Sequence, residues 1–183
     1  PQDVPLDPVR IAKDVATTVQ EVCGELGTAV PHVSVEPGRA IAGPSTLTLY
    51  TVGTVKPVTT DGGLVRTYVS VDGGMSDNLR PALYGAGYHA ALASRVSTAP
   101  GVACRVVGKH CESGDVVVRD VELPGDVAPG DLLAVPVTGA YGRSMASNYN
   151  LVPRPPVVAV RDGASTVLVR RETVQDLLAL DLG

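Results

Sequence analysis

Thr46 to Val71 reads TLTLYTVGTVKPVTTDGGLVRTYVSV. Two Val-rich runs, Thr46 to Val58 and Leu64 to Val71, flank a turn signal, Asp61-Gly62-Gly63. Valine is β-branched and suits a pleated, half-buried surface, and paired glycines punctuate the chain where it reverses. The same grammar continues downstream, with runs at Val102 to Val107, Val116 to Val121, Leu132 to Val137, Val157 to Val160 and Thr166 to Arg170. They are separated by Pro124-Gly125-Asp126, Pro129-Gly130-Asp131 and Asp162-Gly163. Short strands at this spacing predict a mainly β domain, a sandwich or Greek-key barrel, over residues 44–183. A short helix closes it at Glu172 to Leu180, with Val174, Leu177 and Leu178 on one side.

Residues 1–43 follow a different pattern. Asp7-Pro8 suits an N-cap and first helical position, and Ile11, Val15, Val19, Val22 and Leu26 recur along one helical face before Gly27. His32 to Val35 then reads as a short buried strand, ending at Glu36-Pro37-Gly38-Arg39. Helix, strand and Gly-containing loop read as the αβ half of a repeating α/β unit, the tail of an α/β domain, which cannot build a sheet alone.

The chain has 183 residues, net charge −4, 44% apolar and 19% charged residues, which suits a globular domain and excludes a disordered tail. No basic stripe is present to neutralise phosphates, so nucleic acid is not an expected partner. Three cysteines without a CxxC pair suggest neither a disulfide framework nor zinc, and the three histidines lack ligand spacing, so no metal is expected. With no signal-like start and no long apolar run, neither secretion nor a membrane is expected, and the reducing cytoplasm is the default.

Four stretches carry candidate chemistry. Glu36-Pro37-Gly38-Arg39 offers a carboxylate, an approachable amide and a guanidinium for a phosphorylated ligand, though it also fits a turn with two solvated charges. In Asp72 to Tyr84, Arg80 and Tyr84 share a face if the segment turns helically, and together suit a carboxylate; an exposed Arg in a plain loop is the alternative. Gly108 to Asp115 places Cys111 beside Glu112, as a proton donor or nucleophile or as an unreactive loop thiol. Tyr141, between small residues in Gly139-Ala140-Tyr141-Gly142, is either a ligand's hydroxyl donor or a packing tyrosine. Cys23 and Cys104 fall on apolar faces.

In their order, EPGR, DGG with R-P-x-L-Y, CESGD and GAY resemble the C-terminal part of the fold-type III pyridoxal-phosphate decarboxylases. The resemblance spans nearly the whole chain. It implies a lyase in which residues 1–43 are the last helix and strand of an N-terminal α/β barrel of the TIM type that holds pyridoxal 5'-phosphate, followed by a C-terminal β domain, in a homodimer whose active sites are shared across the interface. It also implies Glu36 at the pyridine nitrogen, the Gly38 and Arg39 amides with the Tyr141 hydroxyl at the phosphate, and Arg39, Arg80 and Tyr84 at a distal substrate carboxylate. Cys111 becomes the catalytic proton donor across the interface, and Glu112 the acceptor of a distal amine.

A small amino acid with both distal groups is the implied substrate, meso-2,6-diaminopimelate yielding L-lysine and carbon dioxide in bacterial lysine biosynthesis. Relatives acting on diamine precursors carry Asp where Gly85 stands, which points the same way. The family's Schiff-base lysine has no counterpart among Lys13, Lys56 and Lys109. The chain is therefore expected to be the C-terminal portion of a larger enzyme whose barrel is missing, and inactive alone. The alternative is a non-catalytic dimerising or regulatory β module related to the decarboxylases.

Overall fold

The computed structural model describes residues 7–183, so the first six residues of the expected 1–43 segment lie outside the described residues. Two compact units divide the chain, Pro1–Glu36 and Pro37–Gly183.

In the first unit, helix α1 (Pro8–Leu26) begins and ends where its caps dictate. Asp7 Oδ1 accepts from the Val9 amide at 3.0 Å, and Gly27 takes the left-handed φ of 63° that closes the last turn. The apolar stripe is built as expected, but Ile11, Val15, Val22 and Leu26 are exposed within the unit. The strand expected at His32 to Val35 does not form, and residues 28–37 are irregular. A strand exists only against a hydrogen-bonded neighbour, and this unit offers a single extended segment.

The second unit opens with α2 (Gly38–Ala42) and a 3₁₀ turn (Gly43–Ser45). Strands β1 (Leu47–Thr59), β2 (Val65–Val71), β3 (Ala91–Leu92), β4 (Gly101–Val107), β5 (Val116–Pro124) and β6 (Leu132–Pro136) form one sheet in the order β3-β6-β1-β2-β4-β5. Helix α3 (Arg80–Tyr84) lies between β2 and β3. The outer strands β3 and β5 touch, so the sheet is a nearly closed barrel, which decides between the two expected β architectures. β3, two residues long and paired only to β6, has no sequence signal of its own. Strands β7 (Val157–Arg161) and β8 (Ala164–Val169) form a separate hairpin, with Asp162 and Gly163 both at positive φ as a two-residue turn requires. Helix α4 (Val174–Leu178) is shorter than expected, because its capping box, Thr173 with Asp176, fixes the start two residues beyond Glu172.

The barrel core is mostly valine and leucine at alternate positions, with one cysteine: Val69 and Val71 on β2, Cys104 and Val106 on β4, Leu133 and Val135 on β6. On β5 the adjacent Val117 and Val118 are both buried, and the register shifts opposite them on β4. A bulge turns both side chains inward there.

Strand directions decide where the candidate stretches meet. β1 is antiparallel to β2 and β6, and β2 is parallel to β4. The start of β1 therefore lies at the same barrel end as the ends of β2, β4 and β6. The parallel β2/β4 pair requires a long crossover, and residues 72–100 supply it, carrying α3. Segments 37–46, 72–84, 108–115 and 137–151 thus share one rim.

Candidate functional site

Pro81 in the first turn and Gly85 at the left-handed cap (φ 62°) make α3 a single well-defined turn and a half. Arg80 and Tyr84 share its face, as their spacing predicts. The Arg80 guanidinium carbon lies 5.3 Å from the Tyr84 ring centroid and 5.3 Å from that of Tyr141, so two rings from separate loops hold one cation. Among the described residues no carboxylate comes within 4.0 Å of Arg80 or Arg39, which leaves both guanidinium forks available to an anion.

Tyr141 reaches Arg80 from a strained backbone. Its φ is 68°, a region that costs a bulky residue about 1–3 kcal/mol. The loop is held by Gly139 N–H donating to the Gly43 carbonyl at 3.1 Å, and by Met145 N–H donating to the Tyr141 carbonyl at 3.0 Å. Gly139 is required there, since a Cβ would stand 2.6 Å from Ser45 Oγ and overlap the Ala42 carbonyl. That contact ties the Tyr141 loop to the α2 region bearing Arg39. Gly38 opens α2 with open space on its Cβ side, and Pro37 offers no capping side chain. The Gly38 and Arg39 amides have no protein acceptor among the described residues. Glu36 closes the first unit, beside this turn in sequence.

The Cys111 loop is stitched to the crossover loop by a buried carboxylate. Asp115, 3% exposed, accepts from Met75 N–H at 2.7 Å and His110 N–H at 2.8 Å, while Lys109 N–H donates to the Gly73 carbonyl at 3.0 Å. A second acid, the half-buried Asp77, accepts from Gly74 N–H at 2.7 Å and from the Tyr50 hydroxyl. Burial pushes the Asp77 carboxyl above its ordinary value, against the lowering effect of those two donors, and burial likewise raises the Tyr50 phenol well above 10.

On this base Cys111 and Glu112 are both exposed at the loop tip. The Tyr149 hydroxyl donates to Glu112 Oε1, and that hydrogen bond pushes the phenol's pKa up. The Tyr149 ring lies 5.5 Å from that of buried His110, tilted by 46°, and His110 Nε2 pairs with Ser76 Oγ at 2.9 Å. No hydrogen bond or ion pair among the described residues joins Cys111 or Glu112 to the Arg80 stack. Cys104 is buried in the barrel, where desolvation raises its thiol, as its apolar position foretold.

Sequence reasoning alone missed Asp77, Asp115, His110 and Tyr149. The repeated Gly-Asp pattern and the His beside Cys111 were visible, but which acid would be buried depends on loop docking.

The nearly closed six-stranded barrel thus carries an Arg-Tyr-Tyr cluster and a Cys-Glu loop on one rim. Residues 41–139 match the family described as pyridoxal-dependent decarboxylase, C-terminal sheet domain, and the chain belongs to that family. It is 56% identical over 182 residues to diaminopimelate decarboxylase of Mycobacterium tuberculosis (strain ATCC 25618 / H37Rv), covering 100% of this chain and 41% of that protein. Among solved structures, a diaminopimelate decarboxylase superposes with a TM-score of 0.79 at 35% identity, over 100% of this chain and 44% of the other. The diaminopimelate decarboxylase of M. jannaschii in co-complex with L-lysine superposes with a TM-score of 0.77 at 34% identity, over 93% and 38%. The chain thus spans about two fifths of the length of the curated relatives it matches.

Proposed function

We propose that this chain is the substrate-reading and proton-delivering part of a bacterial, cytoplasmic decarboxylase that converts meso-2,6-diaminopimelate to L-lysine. The observation that carries this reading is Arg80 held between Tyr84 and Tyr141, a cation with its fork unpaired. A substrate end with both a carboxylate and an ammonium matches one free guanidinium and one carboxylate. The relatives named above act on, or bind, molecules of that kind by their names.

For the cofactor's phosphate, Gly38 leaves room for close approach, and the Gly38 and Arg39 amides would be the donors. Tyr141 would add a hydroxyl. Pyridoxal phosphate supplies the electron sink that makes loss of carbon dioxide feasible. The Schiff-base lysine belongs to the barrel portion of the complete enzyme, so these 183 residues do not turn over alone.

Arg80, with Arg39 and the Tyr84 hydroxyl, holds the distal carboxylate and fixes which end of the substrate reacts. Glu112 accepts the distal ammonium. Cys111 Sγ delivers the proton to the carbon that has lost its carboxylate, in the neighbouring subunit's site of a homodimer. Cys111 and Glu112 are both exposed at the loop tip with no hydrogen bond or ion pair to their own chain's Arg80 stack, which suits a site that takes Arg80 from one subunit and the Cys-Glu pair from the other.

Two variants of the complete enzyme test this. Cys111→Ala lowers kcat by about 100-fold or more, the usual worth of a positioned acid, while the cofactor's absorbance is retained. Arg80→Ala raises KM by about tenfold or more through loss of a charge-assisted pair. Normal turnover by the first, or an unchanged KM in the second, removes the corresponding role.

A further inference from the structure

We propose that Tyr149 is a positioning residue that fixes the Glu112 carboxylate for the distal ammonium of the substrate. The inference rests on the reading of Glu112 given above and names the group that makes it work.

An exposed glutamate at a loop tip has three side-chain torsions free to rotate, and ordering it on substrate binding costs entropy. Tyr149 removes much of that freedom beforehand. Its hydroxyl donates to Oε1, leaving Oε2 and its lone pairs open. The donor is itself fixed. Its ring packs on His110, which is 7% exposed and held through Nε2 to Ser76 Oγ at 2.9 Å and through its amide to Asp115 at 2.8 Å. The Tyr149 segment is tied to the same base by Ser147 N–H donating to the Ser76 carbonyl at 2.9 Å. It turns sharply after the tyrosine, with Asn150 at φ 54° and Leu151 at φ 55°. Three rim loops therefore converge on one hydrogen bond.

The donor's chemistry matters as much as its place. A lysine or arginine at this position would neutralise Glu112 and compete with the arriving ammonium. A phenol orients the carboxylate and leaves its negative charge intact. The hydrogen bond to Glu112 also raises the phenol's pKa, so it stays a donor across the neutral range.

The test compares Tyr149→Phe, Glu112→Gln and the double variant in the complete holoenzyme. Tyr149→Phe keeps the ring on His110 and removes one oxygen. The expected result is a rise of about 3- to 10-fold in KM for meso-diaminopimelate, with kcat within twofold, and a parallel rise in the inhibition constant of L-lysine. In the Glu112→Gln background the second change adds nothing, because a positioning residue has nothing left to position. Should Tyr149→Phe leave both constants unaltered while Glu112→Gln raises them, the positioning role is wrong and the Glu112 reading stands. If the two effects multiply, Tyr149 acts elsewhere and the proposal is again overturned. If Glu112→Gln itself changes nothing, the Glu112 reading fails and takes this inference with it. Unchanged far-ultraviolet dichroism and cofactor absorbance in each variant show that folding is not what is being read.

Discussion

Asp115→Ala in the complete enzyme isolates what holds the rim together. The side chain is 3% exposed, and its two oxygens accept from Met75 N–H at 2.7 Å and His110 N–H at 2.8 Å. Removing it leaves two amides in a buried setting without acceptors. Each such donor costs about 1–3 kcal/mol, so the local penalty for the two is about 2–6 kcal/mol. That is a large share of the roughly 5–15 kcal/mol that stabilises a typical domain. No neighbour fills the gap, because the residues facing the carboxylate are glycines: a Cβ on Gly74 would stand 2.5 Å from Asp115 Oδ1, and one on Gly108 would overlap the same group.

The loss is local, since the barrel valines do not touch this carboxylate through any hydrogen bond. Amide hydrogen exchange therefore reads it best. Exchange at Met75 and His110 accelerates by about 30-fold or more, which corresponds to about 2 kcal/mol, while β2 and β4 keep their protection. Turnover falls as well, because Cys111 and Glu112 sit on the loosened loop. Asp115→Asn, which retains one acceptor and turns an N–H₂ toward the other amide, falls between. A folded Asp115→Ala enzyme with unaltered exchange at both amides would refute the claim that this carboxylate docks the two loops.

Three further outcomes follow from the same structure. Leu133→Ala, at a fully buried barrel position, lowers stability by about 2–5 kcal/mol in denaturant unfolding of the barrel, and a loss under 1 kcal/mol would mean the core collapses around the void. Gly139→Ala forces a methyl against Ser45 Oγ and the Ala42 carbonyl, and by displacing Tyr141 from Arg80 it raises KM as well as lowering stability by about 1–3 kcal/mol, checked by kinetics and thermal melts together. Glu172 is held down to about 2 from an ordinary 4.5, first by the Arg154 amide and then by the Arg154 and Asn148 side chains. As pH falls the unfolded chain takes up that proton first, so the contribution is present above 4.5 and lost toward 2; in Glu172→Gln the acid limb of the stability profile is flatter across that window.

Much of the fold was legible because its signals are local. Asp7-Pro8 and Gly27 set the ends of α1, and Asp162-Gly163 set a two-residue hairpin, since capping and turn geometry depend on a few adjacent residues. The Val-rich runs gave five of the eight strands nearly to the residue, and a sixth, β5, runs three residues past its apolar run to Pro124. The seventh, β8, began earlier than its apolar run because the hairpin turn starts pairing at once, and β3 was invisible because two residues carry no periodicity. The expected strand at His32 to Val35 failed for the opposite reason: its residues favour extension, but pairing is a property of a neighbour.

Of the candidate site, the sequence by itself determined the ingredients and one geometric relation. Arg80 and Tyr84, four apart on a turn closed by Gly85, had to share a face. Helical spacing is fixed by covalent geometry, and no tertiary contact is needed to know it. What only the tertiary structure decided was convergence. Tyr141 stands 57 positions beyond Tyr84 in the chain, yet both rings lie 5.3 Å from one guanidinium, because β2, β4 and β6 all end at the barrel rim where β1 begins. The same closure buried Asp115 and left Glu112 exposed, three residues apart in one loop. Side-chain type is equal there, and only the docking of a second loop tells the two acids apart.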